Sequence, residues 1–342
     1  MCHARLLMLA LNSIRGRAIG LIVDYLVWIR EQEEAASIAN APEVQALIDA
    51  RLDVEPAPAV LASLGRRFVT LAWFDQEWAM SLVDRLFPKE PSDVRDADPW
   101  CAYLGEDLVV PAFNLLTDRY VGHIDRLDGR GAAAIDCDRG LVHHLLRVYW
   151  WGFLGDVGSG DTILDRFFEH AGLALRGYAL DYVGFSLTDS EEVDEATLDR
   201  LVQLWEWRRS SADCSTGSDN TAEITAFQWW FISGKFDTSW ALENLEWSLR
   251  TGPPLARPHQ VGKHLARLAH ASPEEAAGVL RCYELLITSV SDRTLLLSWL
   301  DDVHDVLAAV VTEGTVNATH ARELANILLA RGHFQFREIA SP

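Results

Sequence analysis

Apolar residues recur at intervals of three and four along nearly the whole chain, and no stretch alternates apolar and polar residues as a half-buried strand would. In DEATLDRLVQLWEW the series is Leu198, Leu201, Val202, Trp205; in SPEEAAGVLRCYELLITS it is Ala276, Val279, Leu280, Tyr283, Leu286, Ile287. DRTLLLSWLDDVHDVLAAVV repeats it with Leu296, Trp299, Leu300, Val303, Val306, Leu307 and Val310. Such spacing gathers apolar side chains on one helical face, which must be buried against a neighbour. Short breakers intervene: PKEPSDVRDADP (88–99), DVGSGDT (156–162), TGPPLARP (251–258) and GTVNAT (314–319). The pattern predicts about 12–14 helices joined by short connections, with a helix pair taking about 40 residues. The expected fold is all-α, an α-solenoid or irregular HEAT- or TPR-like helical array over 1–342. The polar, aperiodic RRSSADCSTGSDNTA (208–222) is expected to be a mobile surface loop, or a hinge separating 1–207 from 223–342.

A chain of 342 residues with net charge −20 can bury a large core, and its acidity disfavours nucleic acid as a partner. The acidity is even: residues 1–171 carry 26 acidic and 16 basic side chains, residues 172–342 carry 24 and 14. Cys2, Cys101, Cys137, Cys214 and Cys282 are scattered and form no CxxC pair, so reduced thiols in a cytoplasmic protein are expected. AIGLIVDYLVWI is interrupted by Asp24 and is too short to span a bilayer, and no signal peptide is apparent.

Several short motifs suggest chemistry. GDVGSGDT places Gly155, Gly160 and Thr162 where a phosphate-binding loop has its glycines and hydroxyl, but Asp161 holds the lysine position and Asp156 adds a second negative charge. A turn accounts for it better, with Asp161 capping the helix TILDRFFEHAG. DDVHD (Asp301, Asp302, Asp305) matches the DDxxD of Mg-dependent, diphosphate-using all-α synthases. The partner triad is incomplete, since Asn244 and Ser248 are followed by Gly252 instead of Glu, and the aspartates lie opposite the apolar stripe. His143 and His144 diverge on a helix; His259, His264 and His270 lack i, i+4 ligand spacing, and His264 reads as a hydrogen-bonded, partly buried side chain. No nucleophile elbow occurs. No catalytic, metal or cofactor residue is therefore assigned. Most of the thirteen tryptophans, about four-fifths, are expected in the core, with one member of each pair, Trp150–Trp151 and Trp229–Trp230, at a rim.

LNSIRGRAI (11–19), HHLLRVYWWGFL with LDRFFEHAGLALRGYALDYVG (within 143–184), and ANILLARGHFQFREI (325–339) together resemble the C-terminal helical-repeat regions of large bacterial signal-transducing ATPase (STAND-type) and Sir2-like defence proteins. The resemblance implies an array that follows an N-terminal effector and NTPase module and senses ligands or acts as a scaffold in phage defence. That module would lie upstream, in cis or in trans, of a chain that starts only ten residues before LNSIRG and ends as a natural terminus would. The expected function is a non-catalytic interaction, sensor or scaffold module with a protein partner. The alternative is an all-α enzyme using Asp301, Asp302 and Asp305.

Overall fold

The computed structural model describes residues 12–54, 57–89, 97–127, 135–213, 220–251, 256–289, 299–314 and 316–340. Among them are eighteen α-helices, three short 3-10 helices and no strand. The count exceeds the expected 12–14 because turns divide regions such as 97–124 into helices of six to eight residues. The chain packs as two compact units, Met1–Leu175 and Arg176–Pro342.

The first unit contains α1 (Ile14–Gln32), α2 (Pro42–Val54), α3 (Pro58–Phe74), α4 (Gln76–Leu86), α5 (Ala97–Leu104), α6 (Val110–Leu115), α7 (Thr117–Ile124), α8 (Ile135–Trp150) and α9 (Ile163–His170). Helix α3 is its centre. Ten of its residues are buried, and it packs on α1, α4, α5 and α6. A helix so rich in apolar residues must be enclosed over most of its surface. Helix α5 is clamped between two glycines: a Cβ on Gly65 of α3 would lie 2.1 Å from the Pro99 carbonyl oxygen, and one on Gly140 of α8 would lie 2.5 Å from that of Leu104. Cys101 of α5 and Cys137 of α8 are joined by a disulfide across the same contact. This corrects the expectation of reduced thiols for that pair; no spacing motif marks a bridge between residues 36 apart in sequence. Cys282 is a free, buried thiol, and burial pushes it up to about 12. Cys2 and Cys214 lie outside the described residues.

The second unit is a two-layer array. Its helices are α10 (Leu173–Asp189), which begins at the boundary, α11 (Glu195–Asp213), α12 (Thr221–Ser233), α13 (Thr238–Thr251), α14 (Pro258–Ala271), α15 (Ala276–Ser289), α16 (Leu300–Thr312), α17 (Ala318–Ala330) and the short α18 (Arg337–Ala340). From α12 onward each helix packs on its successor or on the next but one: α12 on α13 and α14, α13 on α15, α14 on α15 and α16, α15 on α17, α16 on α17. Side-chain bonds carry the pattern back to α10 and α11. The Trp230 indole donates to the Leu180 carbonyl at 2.8 Å, and that of Trp205 donates to Asn244 Oδ1 at 2.8 Å. Helices α10, α12, α14 and α16 thus form one layer and α11, α13, α15 and α17 the other. The first layer restarts at Leu173, Thr221, Pro258 and Leu300, about 40 residues apart, as in helical-repeat folds. A buried ion pair fixes one junction: Arg208 donates to both Glu223 oxygens, at 2.8 and 3.2 Å, and Arg176 lies 3.2 Å from the same carboxylate.

Two local expectations change, and a third lies outside the described residues. Residues 208–213 are the end of α11, not loop; both flanks of 208–222 belong to the second unit, and 214–219 lie outside the described residues. Leu296 also lies outside them, and its predicted helix is described from Leu300. Of the thirteen tryptophans, Trp78, Trp100, Trp205, Trp230 and Trp299 are buried and Trp28, Trp73 and Trp151 exposed; the rest are half-buried, so fewer fill the core than expected. Tryptophan's size lets it bury most of its ring while an edge stays wet.

Candidate functional site

The loop before α9 is an anion nest that the protein fills itself. Gly158 and Gly160 have φ of 86° and 82°, the left-handed region that glycine adopts without strain. The turn aims successive N–H groups inward. Asp165 accepts from Gly158 N–H at 2.6 Å, Gly160 N–H at 2.9 Å and Thr162 N–H at 3.2 Å. These bonds hold the carboxyl below its usual range despite burial, the larger and opposing effect. Thr162 is the true N-cap, accepting from Asp165 N–H at 3.0 Å in a capping box. Asp161, expected as the cap, is exposed and does not cap α9. A phosphate has no place where Asp165 already sits.

Asp301 and Asp302 lie in the first turn of α16, where carboxylates complement the helix dipole, with Asp305 one turn later. Asp301 and Asp305 are exposed, and Asp302 half-buried. Among the described residues no group of three or more His, Cys, Asp or Glu is placed to hold a metal ion. His264 stacks edge-on against Phe231 at 4.9 Å, and its Nδ1 has no hydrogen-bond partner among the described residues, contrary to the hydrogen-bonded role expected for it.

Residues that, apart from His144, carried no sequence signal form a buried polar cluster in the first unit. The Trp100 indole donates to His123 Nδ1 at 2.5 Å, so the His123 proton sits on Nε2, which faces Asp138 Oδ1 at 2.9 Å. The Tyr103 and Tyr120 hydroxyls lie 3.0 Å apart, Tyr120 lies 2.5 Å from His144 Nδ1, and His144 Nε2 faces the Glu106 carbonyl at 3.0 Å. Trp100, Tyr103, Tyr120, His123, Asp138 and His144 are all buried, so no substrate reaches them. The cluster locks α5, α7 and α8 together around the disulfide.

Burial pushes His144 and His264 each down to about 4. Both imidazoles are therefore neutral in the folded chain until pH falls to about 4, whereas the unfolded chain takes up protons near pH 6.5. Stability contributed by these groups is present above pH 6.5 and is lost as pH falls from 6.5 towards 4. Urea midpoints are expected to fall across that window, and His264→Leu, which removes no hydrogen bond at Nδ1, should flatten the slope. An unaltered slope in both His264→Leu and His144→Gln would contradict the assignment.

Two accessible features remain. A cleft of about 260 Å³ between α1 and α3 is lined by Arg17, Asp24, Ser63, Arg66 and Arg67. Glu106 pairs Arg66 at 2.5 Å and Asp24 pairs Arg67 at 2.9 Å, leaving Arg17 without an ion pair among the described residues. Two of the three arginines lining the cleft are thus paired with carboxylates. In the second unit, Phe185 of α10 is exposed and meets Trp229 of α12 edge-on at 5.7 Å. The Arg257 guanidinium, at the start of α14, lies 4.2 Å from the Trp229 ring centroid, and its backbone N–H donates to Gln228 Oε1 at 2.9 Å. Asp181 flanks them; burial raises its carboxyl, Arg257 partly offsets this, and its buried Oδ1 has no hydrogen-bond partner among the described residues. Gly184 permits the arrangement, since a Cβ there would lie 2.5 Å from that of Trp229. These side chains come from corresponding helices of three consecutive hairpins, which is how helical repeats assemble a binding face.

Comparison with protein-family models, with curated proteins and with solved structures gives no match. Among the described residues no helix is long and apolar enough to cross a membrane.

Proposed function

We propose that this chain is a non-catalytic helical-repeat interaction module that binds a protein through the face of Phe185, Trp229 and Arg257. The carrying observation is that one layer of the array presents an aromatic pair and a guanidinium stacked on it side by side. Tryptophan and arginine are enriched at the energetic centres of protein interfaces. The exposed Phe185 ring beside Trp229 calls for an apolar side chain on the bound segment. We place the module in a bacterial antiphage-defence ATPase, as its sensor or scaffold, with an effector and NTPase module supplied in cis or in trans; the support is the resemblance carried by 11–19, 143–184 and 325–339. A cytoplasmic setting belongs to the same reading, and it requires the Cys101–Cys137 bond to resist a reducing thiol pool.

The test is complementation. In a host deleted for the gene, the wild-type chain restores resistance to phage, and the Trp229→Ala, Arg257→Ala double variant loses it at equal abundance and thermal stability. Full protection by that variant sinks the assigned face. The intact mass of the protein captured from its host through 325–339 then tells whether the NTPase module is covalently attached.

A further inference from the structure

Helix α1 has two apolar faces. Gly16, Ile19, Val23, Leu26 and Ile29 are buried, and the helix packs on α3. Opposite them, Ile14, Ala18, Leu21, Tyr25 and Trp28 are exposed: 89% for Ile14, 70% for Leu21 and 55% for Trp28. At 100° per residue these five fall in a stripe about 80° wide. Their spacing of four, three, four and three is that of a coiled-coil seam. Tyr25 and Trp28 stack at 5.9 Å, leaving one continuous ring surface for another body to cover.

We infer that this seam joins a second copy of the chain, antiparallel, about a two-fold axis level with residue 23. Size and charge both select that register. It sets the small Ala18 opposite Trp28 of the second copy, and Leu21 opposite Tyr25 of the second copy. On the flank of the seam it sets Arg17 opposite Glu31 of the second copy, and symmetry makes the pair twice. Both residues are exposed, and Arg17 is the cleft arginine without an ion pair among the described residues. Asp24 falls at the axis, where two like charges would meet, and Arg67 neutralises each at 2.9 Å. A parallel pair would instead set Trp28 against Trp28 and Arg17 against the apolar Ile22. No new bond chemistry is involved; the interface is isologous, with apolar contacts supplying affinity and the two charge pairs fixing orientation.

Sedimentation equilibrium of the full chain tests this. At about 0.15 M salt, where screening to about 8 Å limits repulsion between two acidic copies, the chain associates to twice its 38.2 kDa. Trp28→Glu gives a monomer with unchanged circular dichroism and melting temperature. Arg17→Glu and Glu31→Arg each weaken the dimer about tenfold, and the double variant R17E/E31R recovers to within about threefold of wild type. A chain still monomeric at about 100 µM overturns the inference, whether another segment of the chain or a different protein covers the seam. So does a dimer indifferent to Trp28→Glu, or a charge swap without recovery.

Discussion

Gly65→Ala is expected to cost at least about 3 kcal/mol of stability, although alanine is the better helix former by about 1 kcal/mol. The new Cβ would lie 2.1 Å from the Pro99 carbonyl oxygen and 2.7 Å from its Cα, all backbone atoms that no rotamer change can move aside. Relief requires α3 and α5 to separate. Helix α5 cannot retreat freely, because Gly140 of α8 backs its far end with a virtual Cβ 2.5 Å from Leu104 O, and the Cys101–Cys137 bond ties it there. The separation would also disturb the edge-on packing of Phe68 of α3 against Tyr103 of α5, at 6.0 Å. Gly20→Ala is the control: its Cβ would meet only the Arg67 guanidinium, at 3.9 Å, so stability should hold or rise. The expected result is a melting temperature about 10 °C lower for Gly65→Ala, or no folded protein, with Gly20→Ala at or above wild type. Equal melting temperatures would mean that the close approach of α3 and α5 is absent.

Breaking the Cys101–Cys137 bond should destabilise the chain by about 4 kcal/mol. The bridge spans 36 residues, and the chain-entropy description assigns a loop of that size about this much, through restriction of the unfolded state. The folded contacts need little adjustment on reduction, because Cys137 is buried and the Trp100–His123–Asp138 relay holds the same helices together. Dithiothreitol is therefore expected to lower the denaturant midpoint of the wild type to that of Cys101→Ser, Cys137→Ser, and to leave the double variant unaffected. A wild type insensitive to reductant, with both thiols open to alkylation before its addition, would remove the bond from the account.

The all-α class was legible because amphipathic helices leave a 3.6-residue period in any segment longer than about three turns. Helices α5 to α7 were not legible as separate elements; six to eight residues supply too few turns for a period, and neither α6 nor α7 has a side-chain bond at its N-cap. The loop at 155–162 was located correctly as a turn, but its capping residue was misplaced. Asp165 reaches back from inside the helix, and only the fold reveals which carboxylate the left-handed glycines present their N–H groups to. The disulfide left no trace, because proximity of Cys101 and Cys137 depends on the stacking of α5 on α8. The rim position of one tryptophan of the Trp229–Trp230 pair was legible, but its neighbours Asp181 and Arg257 were hidden for a related reason: they lie 48 and 28 residues away along the chain and join it only when the hairpins stack. Their isolation in sequence is what an interaction face built across repeats produces.

Whether the Phe185–Trp229–Arg257 face holds a protein is read by placing a photo-crosslinking phenylalanine analogue at Phe185 in the full chain and irradiating cells of its host. The account predicts one discrete crosslinked protein, lost when Arg257→Ala is added and absent when the analogue sits instead at Val316, an exposed position on the same unit. Crosslinks from Phe185 that match those from Val316, and that persist with Arg257→Ala, would contradict it.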